Sequence, residues 1–262
     1  MLGLMLTLGG ATVGAVPTPY FENFDGYANG AAPSGFVTTT AGLNATGVWG
    51  VAHDGMNGRY GSTLSGNQGS TSAAIEITNL GGSGFVFSST FVLGTPFTTS
   101  GFYDCQISIS AFAGSAALHK DISGYRVTYE TFSMNAPFVT PGSLSLAGVE
   151  TQLPGSGSTV PVVAGTTYTI SLSGVYTASG LMLTATLTDG INTVTRSGFD
   201  STPASGTFFG YTNRASASTI RSISSPVQFD NLAIVPEPST VACLLVGAFI
   251  GATAVHRRGR SR

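Results

Sequence analysis

Along most of the chain, apolar and polar residues alternate with a period of two. Tyr168, Ile170 and Leu172 alternate with Thr169, Ser171 and Ser173; Leu181, Leu183, Ala185 and Leu187 alternate with Met182, Thr184, Thr186 and Thr188. Phe85, Phe87 and Ser89 lead into Phe91 and Leu93. The same rhythm runs through Tyr103–Phe112, Tyr125–Phe132, Thr207–Tyr211 and Val227–Val235. Successive side chains of a strand point to opposite faces, so the pattern predicts antiparallel strands with one apolar face and one face of hydroxyls. Gly- and Ser-rich turns punctuate them, for example Gly81-Gly82-Ser83-Gly84, Pro154-Gly155-Ser156-Gly157 and Asp189-Gly190. No body segment has a helical period. The expected fold is all-β, about ten to fourteen strands in a two-sheet antiparallel β-sandwich of the jelly-roll kind.

Both ends break this rhythm. Met1 to Ala15 is apolar and closes on the small residues Val13-Gly14-Ala15, with Pro17 and Pro19 beyond. It reads as a signal peptide for signal peptidase, with only the α-amino group supplying positive charge. A buried strand or helix is the other reading. At the far end, Pro236-Glu237-Pro238 precedes an apolar run from Val241 to Val255 and the basic tail Arg257, Arg258, Arg260 and Arg262. As a helix that run is about 22 Å long, against a bilayer core of about 30 Å. Flanking residues extend it, and the arginines snorkel. Cations beyond a span stay cytoplasmic, so the body is expected on the far side of the membrane. The division is therefore 1–15 signal peptide, 16–235 sandwich, 236–262 tail.

Composition narrows the function classes. Charged residues are 8% of the 262, against about 25% in ordinary soluble domains. Before the tail the cations are Lys120 and five scattered arginines, which argues against nucleic acid as a partner. Hydrophobic residues at 42% and aromatics at 10% fill a core and argue against disorder. Of the two cysteines, Cys243 lies in the apolar tail and Cys105 in the body. Cys105 reads as a small buried side chain, with a dimerising free thiol as the alternative.

The tail resembles the PEP-CTERM sorting signal of bacterial exported proteins, in which the proline motif, single helix and arginine cluster follow in this order. The resemblance implies recognition by an exosortase, a membrane cysteine peptidase or transpeptidase. It also implies a Gram-negative or related bacterium that makes extracellular polysaccharide. The body, through Phe21-Glu22-Asn23-Phe24-Asp25-Gly26-Tyr27, Ala164–Tyr168, Phe208–Tyr211 and Val227–Ile234, resembles the concanavalin A-like lectin/glucanase (LamG-like) jelly rolls. That fold implies adjacent first and last strands, with Phe21, Phe24, Phe229 and Leu232 packing the sandwich edge. It also implies a structural calcium near Glu22 and Asp230, with Asp25 close by. The alternative for these carboxylates is turn capping or pairing with Arg.

The remaining chemistry is sparse. Jelly-roll glucanases need two carboxylates about 5–9 Å apart. Glu76, Glu130 and Glu150 each lack an acidic neighbour two or four residues away on the same face, so no catalytic residue is assigned. His53-Asp54 and His119-Lys120-Asp121 read as loop clusters, and His53, His119 and Cys105 do not make a zinc set. Trp49, near His53, Asp54, Asn57, Arg59 and Tyr60, reads first as a core residue and second as a sugar platform. The expected function is a structural or adhesive protein of the cell envelope or extracellular polysaccharide, with weak carbohydrate binding. A carbohydrate-active enzyme of the same fold, a glycoside hydrolase or lyase, is the alternative.

Overall fold

The computed structural model describes residues 15–41, 46–65, 70–93, 104–121, 123–133, 137–140, 144–146, 149–151, 160–161, 165–216 and 223–237. In chain order the strands are β1 (Val16–Pro17), β2 (Tyr20–Glu22), β3 (Phe36–Ala41), β4 (Thr46–Asp54), β5 (Asn57–Ser65), β6 (Ser70–Thr78), β7 (Gly84–Leu93), β8 (Asp104–Ala113) and β9 (Tyr125–Ser133). They continue as β10 (Pro137–Thr140), β11 (Leu144–Leu146), β12 (Val149–Thr151), β13 (Val160–Pro161), β14 (Thr167–Thr177), β15 (Gly180–Thr188), β16 (Thr193–Asp200), β17 (Phe208–Ser216) and β18 (Ile223–Glu237). No helix occurs among the described residues.

Two sheets form the sandwich. A ten-stranded sheet runs β1-β6-β17-β8-β9-β10-β13, with β3 on β6 and the β11–β12 pair on β9. An eight-stranded sheet runs β16-β15-β14-β7-β18-β5-β4, with β2 on β18. Pairing is antiparallel except between β1 and β6. The all-β two-sheet expectation holds. The strand number exceeds it because β1, β2 and β10–β13 are two to four residues long, too short to show a period.

The expected neighbours meet at the chain ends of the body: β2 pairs with β18, Glu22 opposite Leu232 and Tyr20 opposite Ile234. Phe24, Phe229 and Leu232 are buried there. Phe21 is a correction, being 65% exposed. Tyr20 and Glu22 are in register with the buried Ile234 and Leu232, so the intervening Phe21 points the other way.

The core is aromatic. Tyr211 of the ten-stranded sheet stacks on Phe229 of the other at 4.0 Å between centroids. Phe87 meets Phe209 edge-on at 5.8 Å, and Phe85 meets Phe112 at 4.9 Å. Each such pair contributes about 0.5–1.5 kcal/mol beyond its area burial. Truncating Phe229 to Ala would cost roughly 3–5 kcal/mol through lost transfer energy and the cavity left behind.

Buried hydrogen bonds fix the registry of the two sheets. Tyr211 donates its hydroxyl to Ser89 Oγ at 2.9 Å, and Ser89 donates to the Asp230 carbonyl at 2.7 Å. Asn213 Nδ2 donates to Ser62 Oγ at 3.1 Å. Tyr125 donates to Asp200 Oδ2 at 2.8 Å and accepts the Ala204 N–H at 2.9 Å, which ties the loop after β16 to β9. Without these bonds each buried polar atom would be a desolvation cost.

Candidate functional site

The sequence-predicted polar residues fall into two places. One is the corner where β2, β18 and the β4–β5 hairpin meet. Glu22 is spent within its own segment: Oε1 accepts the Phe24 N–H at 3.0 Å and Oε2 accepts the Tyr27 hydroxyl at 3.0 Å. Phe24 takes a positive φ of 59° to make that turn. Asp25 reaches over the hairpin and accepts the Gly58 N–H at 2.7 Å. A Cβ at Gly58 would collide with the Phe24 carbonyl, so only glycine admits this close crossing.

Asp230 lies at a bulge in β18, where the register to β7 shifts before Ala233. Its Oδ1 accepts the Asn231 N–H at 2.7 Å. Burial pushes its carboxyl above the usual range, against that N–H; the Asp25 charge adds to the rise and Arg59 opposes it. Asp230 therefore has Asp25, rather than Glu22, as its acidic neighbour. Among the described residues no three His, Cys, Asp or Glu side chains converge.

Trp49 belongs to the core, at 4% exposure. Its Nε1 donates to Thr71 Oγ1 at 2.7 Å, and its ring packs against Tyr60, Tyr211 and Phe229. Tyr60 is fully buried beside it. Neither ring is a sugar platform. His53 is in β4 rather than a loop, with Nε2 2.6 Å from the Tyr27 carbonyl. Asp54 pairs with Arg59 at 3.8 Å, and Asn57 opens β5.

The second place is the outer face of the ten-stranded sheet. Thr39, Ser72, Thr212, Ser108 and Thr128 stand in register on five adjacent strands. Ser72 and Thr212 hydroxyls lie 3.3 Å apart, and those of Ser108 and Thr128 3.0 Å. The turn at Ala117–Asp121 folds over one end of this ladder. There Ser72 Oγ accepts the His119 N–H at 2.9 Å and sits 3.0 Å from its Nδ1. Arg126 holds the turn by donating to the Leu118 and Asp121 carbonyls. Burial, then the charges of Lys120 and Arg126, hold the His119 pKa below its ordinary value. His119 Nε2 is buried without a hydrogen-bond partner. His119 lies in a turn, as the sequence predicts, but nothing local in the sequence reveals that this turn docks on β6.

Glu76 and Glu130 lie on different strands of the ten-stranded sheet. Glu76 on β6 accepts from Thr207 at 3.2 Å. Glu130 lies in register with Gln106, Arg214 and then Ser70 across the sheet. That is three strand spacings from β6 and six residues from Glu76, so their backbones are roughly 25 Å apart. Glycosidase carboxylates need about 5–9.5 Å. Glu150 is on β12 opposite Ser145, and Cys105 is on β8 opposite Thr131 and Ala215. Pro236 and Glu237 end β18, opposite Phe85 and Gly84. Met1–Gly14, Pro238, Cys243, the 241–255 run and the arginines at 257, 258, 260 and 262 lie outside the described residues.

No protein-family model matches the chain, and no curated protein matches it. Solved structures similar in fold are mainly legume lectins. The lectin UEA-II complexed with galactose is 11% identical over 82% of this chain and 98% of that one, with a TM-score of 0.47. The Lotus tetragonolobus seed lectin is 9% identical over 83% and 97%, with a TM-score of 0.48. A carbohydrate esterase from Shiga toxin-encoding bacteriophage phi24B is 12% identical over 77% and 89%, with a TM-score of 0.42. At such identities and scores, none of them carries a ligand or an activity to this chain.

Proposed function

We propose that the chain is an exported, non-catalytic module of the cell envelope or extracellular polysaccharide matrix, which binds carbohydrate weakly through its surface. In this reading a signal peptidase removes the leader. The C-terminal helix then anchors the protein in the inner membrane until an exosortase cuts near Pro236-Glu237-Pro238. The observation that carries the reading is the way the body runs into its tail. β18 is an interior strand of the eight-stranded sheet, and its last two residues are Pro236 and Glu237. Cleavage beyond them leaves every strand of the sandwich intact, so the body survives release as a folded unit. The low charge and the hydroxyls on the outer face of the eight-stranded sheet suit a surface that hydrogen-bonds neutral, hydrated polymer.

Mass spectrometry of the C-terminus, on protein recovered from the producing cells, tests the sorting step. The expected species ends near residue 238 and lacks the arginine tail. Recovery of the intact chain alone, through Arg262, refutes it.

A further inference from the structure

The outer face of the eight-stranded sheet is a regular field of hydroxyls. On β15, Thr184, Thr186 and Thr188 point outward, since Leu183, Ala185 and Leu187 are buried. Each is flanked in register by a Ser or Thr on β14 and another on β16. The Thr186 and Thr188 rows continue onto β7 with Ser88 and Thr90. No residue of the field is charged. The rows are about 4.8 Å apart across strands and about 6.8 Å along them, so the field covers roughly 14 Å by 14–20 Å.

The rows differ in what they have left to offer. Thr188 is used by the Gly190 N–H and the Thr193 hydroxyl. Thr184 stands 3.3 Å from Ser197 Oγ, and Thr90 donates to the Asp230 carbonyl. The middle row, Ser88, Ser171, Thr186 and Thr195, makes no side-chain hydrogen bond within the described residues. Four solvent-facing hydroxyls, one per strand, thus keep their donors and acceptors. Beyond the Thr184 row, Val175, Met182 and Phe199 form a directly registered apolar row, each 43–46% exposed.

We propose that this face is a docking surface for a single neutral, unbranched polysaccharide chain. It rests on the carbohydrate-binding reading above and locates it. A sugar ring has hydroxyls at its rim and C–H groups on its faces. The field matches both, with amphoteric hydroxyls in the middle row and an apolar shelf beside them. The absence of charge leaves an anionic polymer without a counter-charge and a neutral one without a desolvated ion. The area, below about 300 Å², is far short of the roughly 800 Å² per partner of a stable protein interface. Beyond β7 the field stops at β18 and β5, where Asp230 and Arg59 bring charge.

The test is affinity electrophoresis of the full chain in gels containing hydroxyethylcellulose, dextran or alginate. The variants are the triple Thr184→Val, Thr186→Val, Thr195→Val and, separately, Thr186→Lys; both keep strand-compatible residues at outward positions. Retention in at least one neutral gel is expected to weaken roughly tenfold in the triple variant, and also in Thr186→Lys. Mobility in plain gel and melting temperature of the triple variant stay as in the parent. If the parent is retained and both folded variants match it, the face is wrong while carbohydrate binding stands. Retention by alginate alone overturns the neutral ligand. A parent dimer that the same substitutions dissociate overturns the polysaccharide in favour of a second copy. No retention in any gel overturns both this site and the carbohydrate-binding reading.

Discussion

Replacing Tyr125 by Phe removes one oxygen from a fully buried position and nothing else. That hydroxyl donates to Asp200 Oδ2 at 2.8 Å and accepts the Ala204 N–H at 2.9 Å. Burial raises its pKa above the ordinary tyrosine range, so it is a neutral donor at any physiological pH. Asp200 is itself buried, and its other oxygen accepts the Thr202 N–H at 2.8 Å. Losing the hydroxyl leaves Oδ2 and the Ala204 N–H without their partner. A hydrogen bond to a carboxylate contributes about 1.5–3 kcal/mol, and an orphaned buried group adds to the loss, giving roughly 2–4 kcal/mol. The ring stays, and with it the edge contact to Phe112 at 6.0 Å, so no cavity forms. Urea unfolding reads this as a midpoint lower by about 1 M at unchanged slope. A cycle with Asp200→Asn should show a coupling above about 1 kcal/mol. A loss below about 0.5 kcal/mol with no coupling would refute the clasp between β9 and the loop after β16.

Three further outcomes follow from the polar corner and the docked turn. The His119 pKa is lowered on folding, so the unfolded chain takes up the proton first; stability should fall as pH drops below about 6.5. His119→Gln should flatten that limb of a urea-midpoint profile between pH 7.5 and 5, and an identical profile would contradict the buried Ser72 contact. The Asp230 pKa is raised on folding, so its charge opposes folding above the ordinary Asp pKa. Asp230→Asn should therefore raise the melting temperature at pH 7 in chelator, with the gain vanishing below about pH 3.8; destabilisation reversed by added calcium in the parent would instead mark Asp25 and Asp230 as cation ligands. Gly58→Ala should destabilise by about 1–3 kcal/mol, because its Cβ meets the Phe24 carbonyl; an unchanged thermal melt would show that residues 22–25 do not cross the hairpin as described.

The period of two carries the fold class and the core-facing Phe and Leu positions, while the pairing of β2 with β18 follows from the resemblance of the body's two ends. The period does so because burial of alternate residues leaves a local mark wherever a strand is long. It could not carry the short strands, or the direction of Phe21, which depends on the register β2 adopts against β18. Trp49 reads first as a core residue despite its polar neighbours His53, Asp54 and Asn57, and β4 does turn it inward, giving its N–H to Thr71. Only the cross-sheet pairing reveals that partner.

Serine and threonine posed the harder problem. In sequence Ser89 and Ser88 are equivalent, but they do opposite things. Ser89 shares the phase of Phe85, Phe87 and Phe91, and that phase is a readable signal: a hydroxyl at a core position demands a buried partner. Tyr211 and the Asp230 carbonyl supply it. Ser88, one residue earlier, faces outward with Ser171, and what it meets depends on three strands drawn from distant parts of the chain. The hydroxyls that fix the sandwich are therefore legible by phase. Those left free for a ligand become visible only when β7, β14, β15 and β16 lie side by side, which is why the alternation predicts faces of hydroxyls without indicating where a continuous field forms.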